Sequence, residues 1–232
     1  MTQAPGPGRP AGRQLGQVGQ VGRRAVATAL LLLSGAMLAG AGWLGFYPFY
    51  TNVRADRKQA QLLEEFTRTQ TTATPAAYKA GQVKEGSALT RLQIPRIGLD
   101  TVVVEGTNAT ALAAGAGHYR DTPLPGEPGN MAIAGHRTMN GHPFNRLDEL
   151  KAGDNIILIT PFGRFTYQVL PPFDGHANPW VTTPNDWSIV SQTKVVSQTK
   201  DAMLTLTTCH PKGSAQARLV ARAKLVNSEP LS

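Results

Sequence analysis

The chain has 232 residues, 23 lysines and arginines against 15 acids, a formal net charge of +8 and a single cysteine. One cysteine excludes an internal disulfide and a four-thiolate zinc site. Residues 1–24 hold four arginines and no acid, whereas from Leu89 onward 13 basic residues face 11 acidic ones. The basic excess therefore lies mostly outside the candidate domain, which argues against nucleic-acid binding.

Residues 1–24 are rich in Gly, Pro, Gln and Arg and read as a disordered basic tail. From Ala25 to Val53 there is no charge. The run "AVATALLLLSGAMLAGAGWLGFY" is long enough to cross a hydrocarbon layer of about 30 Å. Trp43, Phe46 and Tyr47 at its distal end suit an interfacial aromatic belt, and the upstream arginines favour a cytoplasmic N-terminus. The reading is a transmembrane signal-anchor at 25–50 with everything later outside the cell. A cleaved signal peptide is the alternative, with a cleavage-like Ala39-Gly40-Ala41.

Residues 51–86 then read as a juxtamembrane helix and a linker. "VRADRKQAQLLEEF" has Leu62, Leu63 and Phe66 at helical spacing, and "TRTQTTATP" is Thr-rich. The candidate domain spans 87–228. "LTRLQIPRIGLDTVVVEG" has β-branched runs broken at Pro95 and Gly98. "NATALAAGAGHY" is a short helix with Asn108 as its N-cap. "NMAIAGH" is a strand, and "HPFNRLDELKAGD" a short helix ending at Gly153. "NIILITPFGRFTYQVL" is a hairpin turning at Pro161 and Gly163. "AMLTLTTC" and "ARLVARAKLV" are two further strands. Many short strands with few helices predict an all-β barrel or sandwich. The near-duplicate "IVSQTKVVSQTK" is too short for a repeat architecture and reads as an extended loop or a locally duplicated strand segment.

Cys209 is either a small core hydrophobe or a nucleophile. An exported lone thiol favours the nucleophile. Such a thiol needs a proton carrier. His118, His136, His142, His176 and His210 are the candidates. His136 ends an apolar strand beside Gly135; His142 and His176 lie in loops; His118 sits in a Gly-rich segment; His210 follows Cys209 and so points to the opposite face. A histidine-rich metal site is the competing reading, but no pair has the helical His-x-x-x-His spacing and there is no Cys pair. In the last strand Arg218, Val220, Arg222 and Lys224 share one face, which reads as mostly solvated for Arg222 and Lys224. Arg218 opens that strand, where its guanidinium could reach the Cys209 rim and stabilise an oxyanion.

These residues carry a resemblance. "TLTTC", the downstream Arg218 and the upstream "AIAGHR" resemble the sortase motifs. The stretch "GHYRDTPLPGEPGNMAIAGHRTMNGHPFNRLDELKAGD" is similar to class E sortases of Gram-positive actinobacteria. The resemblance covers roughly Leu89 to Val226.

It implies an eight-stranded sortase-type β-barrel with short helices, preceded by an N-terminal transmembrane helix. It also implies a cysteine transpeptidase with Cys209 as nucleophile, His136 as acid/base and Arg218 as substrate clamp. Thr208 would shape the floor under the substrate's threonine, and Tyr119 would lie near the substrate groove. The implied partners are exported proteins with C-terminal LPXTG- or LAXTG-type signals, a peptidoglycan precursor amine and the membrane, with no nucleic acid, metal or organic cofactor. A pilin-polymerising sortase is the alternative, disfavoured because residues 51–88 lack an Asp-Pro-aromatic tripeptide. A wall-cleaving cysteine peptidase and a non-catalytic wall-binding domain are further rivals.

Overall fold

In the computed structural model, β-branched and aliphatic runs form nine strands among the described residues, which are 15–72, 78, 83–173, 175–190 and 201–230. In chain order these are β1 (Ala88–Ile94), β2 (Leu99–Glu105), β3 (Ala116–His118), β4 (Gly129–Ala134), β5 (Asn155–Thr160), β6 (Gly163–Val169), β7 (Trp180–Thr182), β8 (Ala202–His210) and β9 (Ala217–Pro230). The pairing order β6-β5-β1-β2-β3-β4-β8-β9 returns through β9–β6 and closes an eight-stranded barrel. The long β9 makes this closure possible. Its second half pairs with β6, and its first half is capped by the extra strand β7.

Several local expectations hold. Gly98, at φ 65, closes the single 3₁₀ turn Pro95–Ile97 between β1 and β2, a left-handed position that suits glycine. Helix α2 (Ala109–Ala114) starts at Asn108, whose side chain accepts from the Ala111 N–H at 2.8 Å. β5 and β6 form the hairpin, with Thr160 opposite Gly163.

Other elements differ. "HPFNRLDELKAGD" supplies only the 3₁₀ turn Leu147–Glu149, because the Phe144 N–H is spent on the His136 carbonyl (3.2 Å) and Asn145 bonds back to Arg137. The N-terminal helix α1 runs without interruption from Leu15 to Thr72, so its first turns fall in the expected tail and Thr67–Thr72 are helical rather than linker. Most of the duplicated "VSQTK" segment lies outside the described residues.

The chain divides into two compact units, Met1–Tyr47 and Pro48–Ser232. In the first, the apolar side chains from Leu30 to Leu33 and Leu44 are exposed, and the helix is apolar and long enough to cross a membrane. In the second, the helix from Pro48 onward is part of the barrel unit. Leu62 and Phe66 are buried with Val102, Val104 and Ala111, while Leu63 faces outward at 38% exposure. Burying the Leu and Phe side chains contributes about 1.5–3 kcal/mol each. Gln59 locks the contact. Its amide donates to the carbonyls of Val102 (3.0 Å) and Ala114 (2.7 Å) and accepts from the Val102 N–H (2.8 Å) and the Thr101 hydroxyl (2.9 Å). The main core fills the barrel, with Leu92, Ile133, Phe144, Leu158, Tyr167 and Leu206 fully buried.

Candidate active site

Strand alternation sets the site. β8 lies antiparallel to β9 with Cys209 directly opposite Arg218. It lies parallel to β4 in a register that ends at Ala134 opposite Thr207. His136 lies two residues past Ala134 and Cys209 two residues past Thr207, so both follow the last paired rung by the same count. The Gly135 N–H extends the ladder by donating to the Thr207 carbonyl (3.1 Å).

Gly135 has a packing reason as well. A Cβ there would meet the Phe144 ring at 2.6 Å, so only glycine lets this strand end close over the core.

Cys209 is half-buried. The Arg218 Nη1 donates to the carbonyls of Ala215 and Ala217, both at 3.1 Å. This fixes the guanidinium at the end of β9 and leaves its other N–H groups without a partner among the described residues. Burial holds the His136 imidazole below its ordinary 6.5, which favours the neutral ring. The Tyr119 phenol is raised, first by burial and also by the Cys209 thiol, while Arg218 acts in the opposite direction. Tyr119 thus shares an electrostatic environment with both residues. It also lines an open cleft of about 640 Å³, together with Glu85, Asn108, Arg120, Asp121 and an outward-facing Trp187.

Thr208 is placed differently from its expected role. Its hydroxyl is buried and donates to the Gly135 carbonyl at 2.7 Å. That bond ties the nucleophile strand to the histidine segment, and the hydroxyl is committed to protein rather than presented to a ligand. The side chain on the same strand face as Cys209 is Thr207, whose buried hydroxyl has no hydrogen-bond partner among the described residues.

The other histidines have separate explanations. His118 is buried, with Nδ1 3.0 Å from the Glu105 carboxylate and Nε2 2.9 Å from the Thr122 hydroxyl. Thr122 in turn bonds the Tyr119 carbonyl at 2.7 Å, so this network supports the Tyr119 turn from below. His142 is exposed at φ 36, and His176 is exposed beside the Trp180 ring. Among the described residues no group of three or more His, Cys, Asp or Glu could hold a metal ion.

Two features were missed in the sequence. Arg222 is not simply solvated. Its guanidinium lies over the rings of Phe173 (5.4 Å) and Trp180 (5.2 Å) and reaches the Thr205 hydroxyl and the Ile189 carbonyl. Arg137, beside His136, is 3% exposed and sits in a network of its own. The "GHR" triplet was the available signal for it.

The arrangement gives a half-buried thiol, an arginine directly across from it with N–H groups unpaired among the described residues, and an imidazole just past the end of the neighbouring strand whose burial favours the neutral ring. That set suits acyl transfer through a thioester. A family model for the sortase domain matches residues 92–226. The chain is 32% identical to sortase D of Bacillus subtilis (strain 168) over 206 residues, 84% of this chain and 96% of the relative. It is 29% identical to the SrtE1 sortase of Streptomyces coelicolor over 79% of this chain and 52% of that longer one. Among solved structures it is similar to the SrtF sortase from Corynebacterium diphtheriae, with a TM-score of 0.61 and 32% identity over 65% of this chain and 90% of the other.

Proposed function

The chain belongs to the sortase family of cysteine transpeptidases, and from that premise we propose that it is a membrane-anchored enzyme that joins exported proteins to the cell wall. In this reading the apolar helix anchors the chain with its N-terminus in the cytoplasm and the reaction outside. The substrate is a C-terminal sorting signal of the LPXTG or LAXTG type, cut between Thr and Gly. The acceptor is an amine of a peptidoglycan precursor.

The observation that carries this reading is the pairing of Cys209 with Arg218 across β8 and β9, with His136 two residues past the last β4–β8 pair. The neutral His136 takes the thiol proton as Cys209 Sγ attacks the threonine carbonyl. Arg218 donates to the developing oxyanion. The C–N bond then breaks, and His136 returns the proton to the departing glycine amine. The acceptor amine attacks the thioester carbon, loses its proton to His136, and the thiolate departs and is reprotonated. No step calls for a metal or an organic cofactor. Tyr119, at the cleft edge, contacts the signal beside the reacting carbonyl, and Thr208 acts through Gly135 rather than on the substrate.

The test uses the full chain in mild detergent with an LAXTG peptide, an LPXTG peptide and a triglycine or diamino-acid acceptor. Ligated product should form, read by mass, and should vanish in Cys209→Ala. Hydrolysis without ligation would support a wall peptidase instead. Ligation that survives Cys209→Ala would remove the thiol from the mechanism.

A further inference from the structure

The ladder between β4 and β8 stops just before the two residues it must align. Beyond the Gly135 contacts, the regular backbone pairing no longer holds His136 and Cys209 level. Arg137 and His210, the residues that immediately follow them, are joined instead. Arg137 Nη1 lies 3.0 Å from His210 Nδ1 and 3.5 Å from the carbonyl of Cys209 itself.

The other arms of the same guanidinium reach the loop after His136. Nη2 pairs with the Asp148 carboxylate at 3.0 Å, and Nε donates to the Asn145 carbonyl at 3.4 Å. Asn145 closes the circuit by donating to the Arg137 carbonyl at 2.8 Å. An arginine buried to 3% exposure carries a large desolvation cost, which this set of partners offsets. The planar fork spreads its five N–H donors over three nitrogens and so reaches these separated partners, where a lysine ammonium would donate from a single point.

We propose that Arg137 is a positioning residue that sets the separation of His136 and Cys209, with His210 as its acceptor on the nucleophile strand. The proposal rests on the sortase reading for the roles of those two residues. A guanidinium has N–H donors and no acceptor. His210 Nδ1 must therefore accept, and the ring proton sits on Nε2. Alternation along β8 puts His210 on the face opposite the thiol, so the clamp acts from behind the site and leaves the groove clear.

The test measures kcat and KM for ligation by the full chain in detergent, with wild type and Cys209→Ala alongside. Arg137→Lys keeps the charge and loses the fork. It should lower kcat by about 10-fold or more, because small displacements of reacting groups are costly. KM for the signal peptide should stay within about twofold, since bound-state contacts are untouched. His210→Ala should fall in the same direction. His210→Asn, whose side-chain oxygen can occupy the Nδ1 position, should recover most of the loss.

The proposal is overturned if Arg137→Lys retains wild-type kcat, if kcat and KM shift together, or if His210→Asn is as impaired as His210→Ala. The His210 pair carries the test if Arg137→Lys does not fold. A nitrogen-15 spectrum of the His210 ring decides the contact without turnover: an unprotonated Nδ1 supports it, and a protonated Nδ1 overturns it. Wild type that fails to ligate, or Cys209→Ala that ligates, sinks the sortase mechanism instead, a distinct outcome.

Discussion

On one face of the β8–β9 pair, Leu204, Leu206, Leu219, Ala221 and Ala223 are buried in the barrel core. On the other, Thr205, Thr207, Cys209, Arg218 and Arg222 carry polar groups, and not all of these are satisfied. The same backbone serves both, because successive side chains of a strand point to opposite sides. The apolar face is filled to the point where a lost methylene is felt. Among the described residues, the polar face keeps the Thr207 hydroxyl and N–H groups of Arg218 in reserve, at a cost in stability that the core offsets. A rigid inner face holding an under-satisfied outer one is how an acyl-transfer site can be both precise and open to substrate.

The contrast can be broken from either side. The largest expected effect is on the core face. Leu206→Ala should cost about 2–5 kcal/mol of unfolding free energy, because Leu206 is fully buried. Chemical denaturation checks the loss, and turnover per folded molecule should be largely retained. Next comes Arg218→Lys on the outer face, which keeps the charge but not the fork. It should lower kcat for ligation by about 10²-fold, in the range of a lost oxyanion donor, with the melting temperature little changed.

A smaller effect follows from His136. Its folded-state value lies below the ordinary 6.5 because of burial. Above pH 6.5 the ring is neutral in both folded and unfolded chains and contributes nothing to the pH dependence. As pH falls through 6.5 the unfolded chain takes up the proton first, so stability is lost. A pH series of melts should therefore decline more steeply below 6.5 for wild type than for His136→Gln. For the same reason the acid limb of kcat/KM should lie below the ordinary imidazole value.

The smallest effect is at Thr207. Its buried hydroxyl lacks a partner among the described residues, so Thr207→Val should leave stability unchanged or raise it by up to about 1 kcal/mol. A clear loss on denaturation would mean the hydroxyl is paired after all.

Much of the barrel was legible because its signals are local. The alternation in "AMLTLTTC", the cap at Asn108 and the turn between Thr160 and Gly163 all act over a few residues. The implied barrel closure appears in the structure, and β9 supplies it by pairing on both edges over its length.

What escaped was set by distant partners. Thr67–Thr72 looked like linker because threonines are indifferent helix formers, yet they extend a helix that Gln59, Leu62 and Phe66 dock on the barrel. Arg222 looked solvated because Phe173 and Trp180, which lie beneath its guanidinium, come from a separate segment of the chain. Arg137 drew no reading of its own, because its partners Asp148 and His210 come from segments well separated from "GHR" in the chain. Thr208 was legible as part of the motif, but its bond to the Gly135 carbonyl depends on the register between β4 and β8.

The central claim is that Cys209 forms a covalent thioester with the threonine of a sorting signal. Intact-mass measurement of the full chain, incubated with an LAXTG peptide and no acceptor amine, tests it most directly. The account predicts an adduct equal to the peptide truncated after threonine, located on Cys209 and released by triglycine as a ligated product. Peptide cleavage with no adduct, persisting in Cys209→Ala, would contradict it.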